Sequence, residues 1–142
     1  MAKTERALQF VLPDLESAPE RAGLRIAPTG GLATVQGDAA VRQALCLLLL
    51  TRPGERVMRP EYGCDLHRLA FAPNDDTTAG LAIHYVREAI ERWEPRIQIV
   101  RLDAGPDESR AEVLAISLQY QVKATQAIET FNLRVHLAGE AV

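Results

Sequence analysis

Apolar residues recur along this chain at two periods, helical in the first half and alternating in the second. Between residues 38 and 51, Val41, Ala44, Leu45 and Leu48 share one helical face, and Leu47, Leu49 and Leu50 widen it until most sides are apolar. The spacing predicts a largely buried helix. It opens at Asp38, whose carboxylate can accept free N–H groups of the first turn, and it stops before Pro53-Gly54. A second helix is predicted from Asp76 or Thr77. Leu81, Tyr85, Val86, Ala89, Ile90 and Trp93 form its core face, and Arg87, Glu88, Glu91 and Arg92 its wet face. Pro95 ends it, because the residue before a proline is pushed out of the α region.

Beyond Pro95 the period falls to two. A strand is expected over 97–102, followed by a turn at Gly105-Pro106-Asp107. Next, Leu114, Ile116, Leu118, Tyr120 and Val122 alternate with Ala115, Ser117, Gln119 and Gln121. In the last strand Phe131, Leu133, Val135 and Leu137 alternate with Asn132, Arg134 and His136. This is the pattern of an antiparallel meander with one face on a core and one in water. Residues 54–75 are broken by Gly54, Pro60, Gly63 and Pro73, with room for a short strand at 56–58 and a helical turn at 65–70. Residues 1–31 read as an irregular arm, with short strands predicted at 24–27 and, just beyond it, at 32–36. The expected fold is α+β, with two main helices packed on a mostly antiparallel, three- to four-stranded C-terminal sheet. The domain is assigned to 32–142.

Composition narrows the possibilities without naming a function. The 142 residues are 47% apolar and 25% charged, the proportions of an ordinary globular domain. A net charge of −3 argues against nucleic acid, which is bound by neutralising phosphates with a basic face. The Leu-rich run at 44–50 is far short of the roughly 20 apolar residues of a membrane span. The charged N-terminus lacks the apolar core of a secretory signal, and two cysteines, Cys46 and Cys64, do not make a disulfide scaffold. Synthesis in the cytoplasm, with no membrane partner, is the expectation.

No catalytic or cofactor motif emerges. Cys64-x-x-His67 has the spacing of half a metal site but no second pair downstream, so no metal and no cofactor are expected. A muramidase-type glycoside hydrolase would use two loop carboxylates, and Glu55, Glu61, Asp65 and Glu94 are available. The chain has only seven aromatics, however, and Tyr85, Trp93, Tyr120 and Phe131 fall on core faces, leaving little to line a sugar cleft. The sharpest local feature is Trp93-Glu94-Pro95-Arg96. A glutamate at a helix C-terminus faces the negative end of the helix dipole and calls for an arginine, with Arg56, Arg59, Arg92 and Arg96 as candidates. Two roles are open to it: an internal salt bridge tying the helix exit to the 54–63 loop, or a rigid charged edge for docking.

The stretch Thr51-Arg52-Pro53-Gly54-Glu55-Arg56-Val57-Met58-Arg59-Pro60-Glu61-Tyr62-Gly63 resembles the loop signature of the baseplate wedge, or sheath-initiator, family. That family spans contractile phage tails, type VI secretion and extracellular contractile injection systems. Residues 66–71 with Pro73 continue the pattern, and Trp93-Glu94-Pro95-Arg96-Ile97 looks like its Glu-Pro-Arg motif; the likeness covers about 38–122. Cys64 stands where a small polar residue is expected. The resemblance implies a structural protein rather than an enzyme, although members are often labelled lysozymes. It implies six copies per particle, held by two other baseplate wedge proteins near the hub or spike, in a phage tail-like particle or secretion apparatus. Carried over by position, Glu94, Pro95 and Arg96, with Gly54, Glu55, Arg56, Pro60 and Gly63, would meet the wedge proteins. The sheet edge at Phe131, Asn132, Leu133, Arg134 and Val135 would receive strands from sheath subunits.

Overall fold

The computed structural model describes residues 34–138 without a break and, ahead of them, 6–8, 10–11, 23–24, 28 and 30. It divides into two units, 1–44 and 45–142. In the first unit, β1 (Arg6–Leu8) pairs antiparallel with β4 (Thr34–Gln36), and β2 (Phe10–Val11) with β3 (Gly23–Leu24). Helix α1 (Asp38–Leu50) starts in this unit. The N–H groups of Ala40 and Val41 donate to the carbonyl of Gly37, so the helix begins one residue earlier than expected and Asp38 occupies its first turn. A left-handed Gly37, φ +61°, makes that sharp entry from β4.

The second unit holds the last turns of α1 and everything after them. Leu45, Cys46, Leu48 and Leu49 are buried, and no residue from 45 to 50 is exposed, as the all-round apolar pattern requires. A short 3₁₀ turn at Asp65–Leu69 buries Leu66 and Leu69 and packs against α2 (Asp76–Trp93). Asp75 caps α2, its carboxylate accepting from the Thr78 N–H at 2.9 Å. The helix lies on β5 (Ile97–Pro106) and, less extensively, on β6 (Val113–Val122). Its buried stripe is Ala79, Ala82, Val86, Ala89 and Ile90. Leu81, assigned to that stripe from the sequence, is exposed instead, and three of the five buried residues are alanines.

β5, β6 and β7 (Ile128–His136) form one antiparallel sheet in that order. The inward residues of β6 and β7 are the ones the alternation predicts. Tyr120 is wholly buried and donates its hydroxyl to Glu129, directly opposite on β7, at 2.9 Å, so the phenol is not left unpaired. Two expectations are corrected. The sequence placed a turn at 105–107, but β5 runs through Pro106 and the turn falls at 107–112. No strand forms at 56–58, where the chain turns instead.

Phe71 sits between the 3₁₀ turn and α2 in a left-handed conformation, φ +64°, with its N–H on the Leu137 carbonyl at 2.6 Å. The ring is 81% exposed. A non-glycine residue loses about 1–2 kcal/mol in this conformation, and so exposed a ring recovers little by burial. Glycine would add only about 0.5–1 kcal/mol of entropic cost. Phe71→Gly is therefore expected to hold or raise the melting temperature, by up to a few degrees in a thermal scan. A clear drop would show that the ring makes a stabilising contact.

Candidate functional site

Residues 51–64 form a loop closed on itself at two levels. The Cys64 N–H donates to the Thr51 carbonyl at 2.9 Å, and the Gly54 N–H to the Pro60 carbonyl at 2.7 Å. Gly63 has φ +137°, and a Cβ there would lie 2.6 Å from the Thr51 oxygen and 2.9 Å from Arg52 and Pro53 backbone atoms. Glycine is thus required twice over, by conformation and by space. The loop's side chains dock on the exit of α2. Glu61 pairs with Arg92, the Tyr62 ring meets Trp93 edge-on with centroids 5.4 Å apart, and the Arg56 guanidinium lies 4.3 Å over Tyr62. Burial pushes the Tyr62 phenol up, opposed by Arg56, while the charges of Glu94 (raising) and Arg96 (lowering) also reach it. The helix exit and the loop are therefore one electrostatic neighbourhood.

Glu94 itself is buried, and its N–H closes the last turn of α2 on the Ile90 carbonyl at 2.8 Å. Arg96 grips both carboxylate oxygens, Nε to Oε1 at 2.6 Å and Nη2 to Oε2 at 2.9 Å. This is the bidentate fork that arginine forms and lysine cannot. Of the four arginines considered as partners, Arg96, just past Pro95, takes the role. The tie to the 54–63 loop is made by other pairs, Arg92 with Glu61 and Trp93 with Tyr62. Pro95 is exposed at the corner, and about a third of the Arg96 side chain stays accessible.

The loop carboxylates do not converge. Glu55 is exposed, Glu61 is held by Arg92, Asp65 by Arg68 at 3.6 Å and Glu94 by Arg96. An open cleft of about 710 Å³ lies beside Glu94 between α2 and β5, lined by Arg87, Glu91, Gln98, Arg101 and Lys123 among others. No aromatic ring lines it. Among the described residues no three His, Cys, Asp or Glu side chains are placed to share a metal ion. Cys64 is buried, its thiol pushed up to about 11 by desolvation and its Sγ 3.5 Å from the Tyr85 carbonyl, while His67 is exposed.

At the far side of the sheet, β6 is the one partner of β7 among the described strands. The Leu137 N–H donates to Glu112 and the Val122 N–H to Ala127, which sets the phase of the β6–β7 ladder. Leu133 and Val135 spend their backbone groups on β6, whereas Asn132 and Arg134 direct theirs away from it. The other edge differs. In β5 the register slips between Ile99 and Arg101, which leaves Val100 as a bulge. Past the bulge the outward-facing backbone includes Pro106, which has no N–H, and Arg101 and Asp103 form an exposed ion pair. Bulge, proline and charge are the ordinary means of blunting an edge. Between 128 and 135 β7 has neither bulge nor proline, and its charged residues are Glu129 and Arg134.

Two residues of the loop escaped sequence reasoning. Val57 and Met58, expected in a strand, stand at the loop's tip, 94% and 91% exposed. The signal was present in Pro53, Gly54, Pro60 and Gly63, which leave too little uninterrupted chain between them for a paired strand.

Comparison with known proteins gives a consistent answer. The model of a protein family described as baseplate wedge protein gp25 matches residues 35–127. The baseplate wedge protein gp25 of Enterobacteria phage T4 is 30% identical over 70 residues, 49% of this chain; the match spans about half of that phage protein, 53%. Among solved structures, a Geobacter sulfurreducens protein provisionally named a tail lysozyme is 34% identical, with a TM-score of 0.65 over 70% of this chain and 90% of that one. A chain of the anti-feeding prophage baseplate is 31% identical, with a TM-score of 0.67 over 70% of this chain and 80% of that one.

Proposed function

The chain belongs to the baseplate wedge protein gp25 family, and from that premise we propose that it is a structural baseplate subunit of a contractile injection machine, which joins the wedge to the sheath and starts sheath assembly by strand exchange. Two surfaces divide the work. The exit of α2, with Glu94, Pro95 and Arg96 and the loop holding Gly54, Glu55, Arg56, Pro60 and Gly63, docks two other wedge proteins. The edge at Phe131, Asn132, Leu133, Arg134 and Val135 accepts a strand from a sheath subunit. Six copies around the hub would offer six such edges.

The observation that carries this reading is the contrast between the sheet's two edges. An extended segment adding to a sheet draws its affinity from main-chain hydrogen bonds and its register from alternate side chains. β7 turns the backbone groups of Asn132 and Arg134 outward with no bulge or proline between them, whereas β5 carries both a bulge and an outward proline. Glu94 and Arg96 support the docking role in a particular way. Because the fork fixes Arg96, its remaining exposed surface is presented at one angle, and a preorganised side chain loses little entropy on binding.

A cysteine trap tests the edge. Cys46 and Cys64 are both buried, so Asn132→Cys places one accessible thiol on the outer strand. With single cysteines scanned along the sheath's terminal segment, a disulfide is expected at one or two adjacent alternate positions. Sheaths that assemble with no position trapped would contradict strand addition at β7.

A further inference from the structure

We propose that Val57 and Met58 form a rigid apolar anchor that inserts into a pocket, rimmed by carboxylates, on a wedge protein. Both side chains are almost wholly in water, 94% and 91% exposed, although nothing in the loop prevents a polar residue at either place. Single exposed apolar residues are ordinary; two consecutive ones at the tip of a projecting loop are a stronger sign of a contact. The loop is also unusually well fixed for an exposed segment. It is closed at Thr51–Cys64 and at Gly54–Pro60, and it is braced from below by Glu61 on Arg92 and Tyr62 on Trp93. A tip held this way has already lost the freedom that binding would otherwise remove.

Charge indicates what the tip fits. Arg52, Arg56 and Arg59 flank it, all exposed, against Glu55 and a Glu61 that is already paired with Arg92. A chain of net charge −3 therefore carries a local positive excess around its most exposed apolar pair. The complementary surface is an apolar pocket with an acidic rim, which would bury Val57 and Met58 while the arginines face carboxylates at its border. The location identifies the partner class. Arg56 stacks on Tyr62, which leans on Trp93 beside Glu94 and Arg96, so the tip continues the surface assigned to the wedge. The inference rests on that assignment.

The test uses the full chain with its wedge proteins, in a binding titration at two salt concentrations. Val57→Ser with Met58→Ser should leave the melting temperature unchanged, since neither side chain is buried. It should weaken wedge binding by roughly thirtyfold or more, as expected for central anchor residues. Arg52→Glu with Arg59→Glu should weaken binding and flatten its salt dependence. Arg96→Lys, which loses the bidentate fork, separates the two ideas. If Arg96→Lys impairs binding and the double serine variant does not, the anchor is wrong and the wedge reading stands. If neither matters, both fall. Anionic phospholipid vesicles are the remaining arm: retention of the wild type on vesicles, lost in the serine variant while wedge binding persists, would make the tip a lipid contact and overturn the proposal.

Discussion

Gly63→Ala is expected to cost on the order of 3 kcal/mol or more and to lower the melting temperature by roughly 10 °C or more. Both of its penalties are backbone penalties. At φ +137° an alanine is strained whatever surrounds it, and its Cβ would meet the Thr51 carbonyl oxygen at 2.6 Å. Neither a rotamer change nor a flexible neighbour can relieve a clash of a Cβ with main-chain atoms. The loop would have to open at the Thr51–Cys64 hydrogen bond, which frees Tyr62 from Trp93 and Glu61 from Arg92. Gly54→Ala is the control. Gly54 has φ +94° but nothing lies within 4 Å of its would-be Cβ, so only conformational strain remains, about 1–2 kcal/mol. Thermal melting of the two variants separates the cases. Equal losses would show that the packing around Gly63 relaxes freely and that the loop is not pinned there.

How much of this was legible beforehand depends on how each element is buried. β6 and β7 could be read residue by residue, because one face is packed and the other wet, so the alternation is complete. β5 was read short for two reasons. Its buried residues Ile97 and Leu102 are an odd number apart, which breaks the period of two; the bulge at Val100 restores the phase, and a bulge leaves no mark in composition. Pro106 then looked like the end of the strand. On an edge strand a proline is tolerated where its missing N–H would have faced outward, which is where the register places it. Leu81 was assigned to the core by period alone, but the buried stripe of α2 is narrower, rich in alanine, and leaves that leucine exposed.

The candidate site was half legible. The strain of a glutamate at a helix C-terminus correctly called for an arginine, and Arg96 was among those named. That Arg96 rather than a loop arginine takes Glu94 depends on the angle at which Pro95 turns the chain, which spacing does not give. Likewise Glu61 and Arg92 are 31 positions apart, and only the closure of the loop brings them together. The lesson of Val57 and Met58 is similar. β-Branched and apolar residues favour strands only if a neighbouring strand is there to pair with, and the pinned loop offers none.

Arg134→Pro is expected to abolish sheath assembly while leaving the baseplate intact. The phase of the β6–β7 ladder turns the Arg134 N–H to the open edge, so proline removes a donor from the incoming strand without removing one from β6. Proline at Leu133 or Val135 would instead delete a ladder bond of the sheet itself and confuse binding with stability. Arg134→Glu changes the charge but keeps the N–H, and it should support sheaths of normal length if main-chain bonding dominates. Thermal melting and wedge binding of both variants establish that each is folded and incorporated. The most direct test of the account is electron microscopy of particles built with Arg134→Pro subunits that pass those controls. Strand addition at β7 predicts baseplates carrying bare tubes with no first sheath ring. Full-length sheaths seated on those baseplates would contradict it.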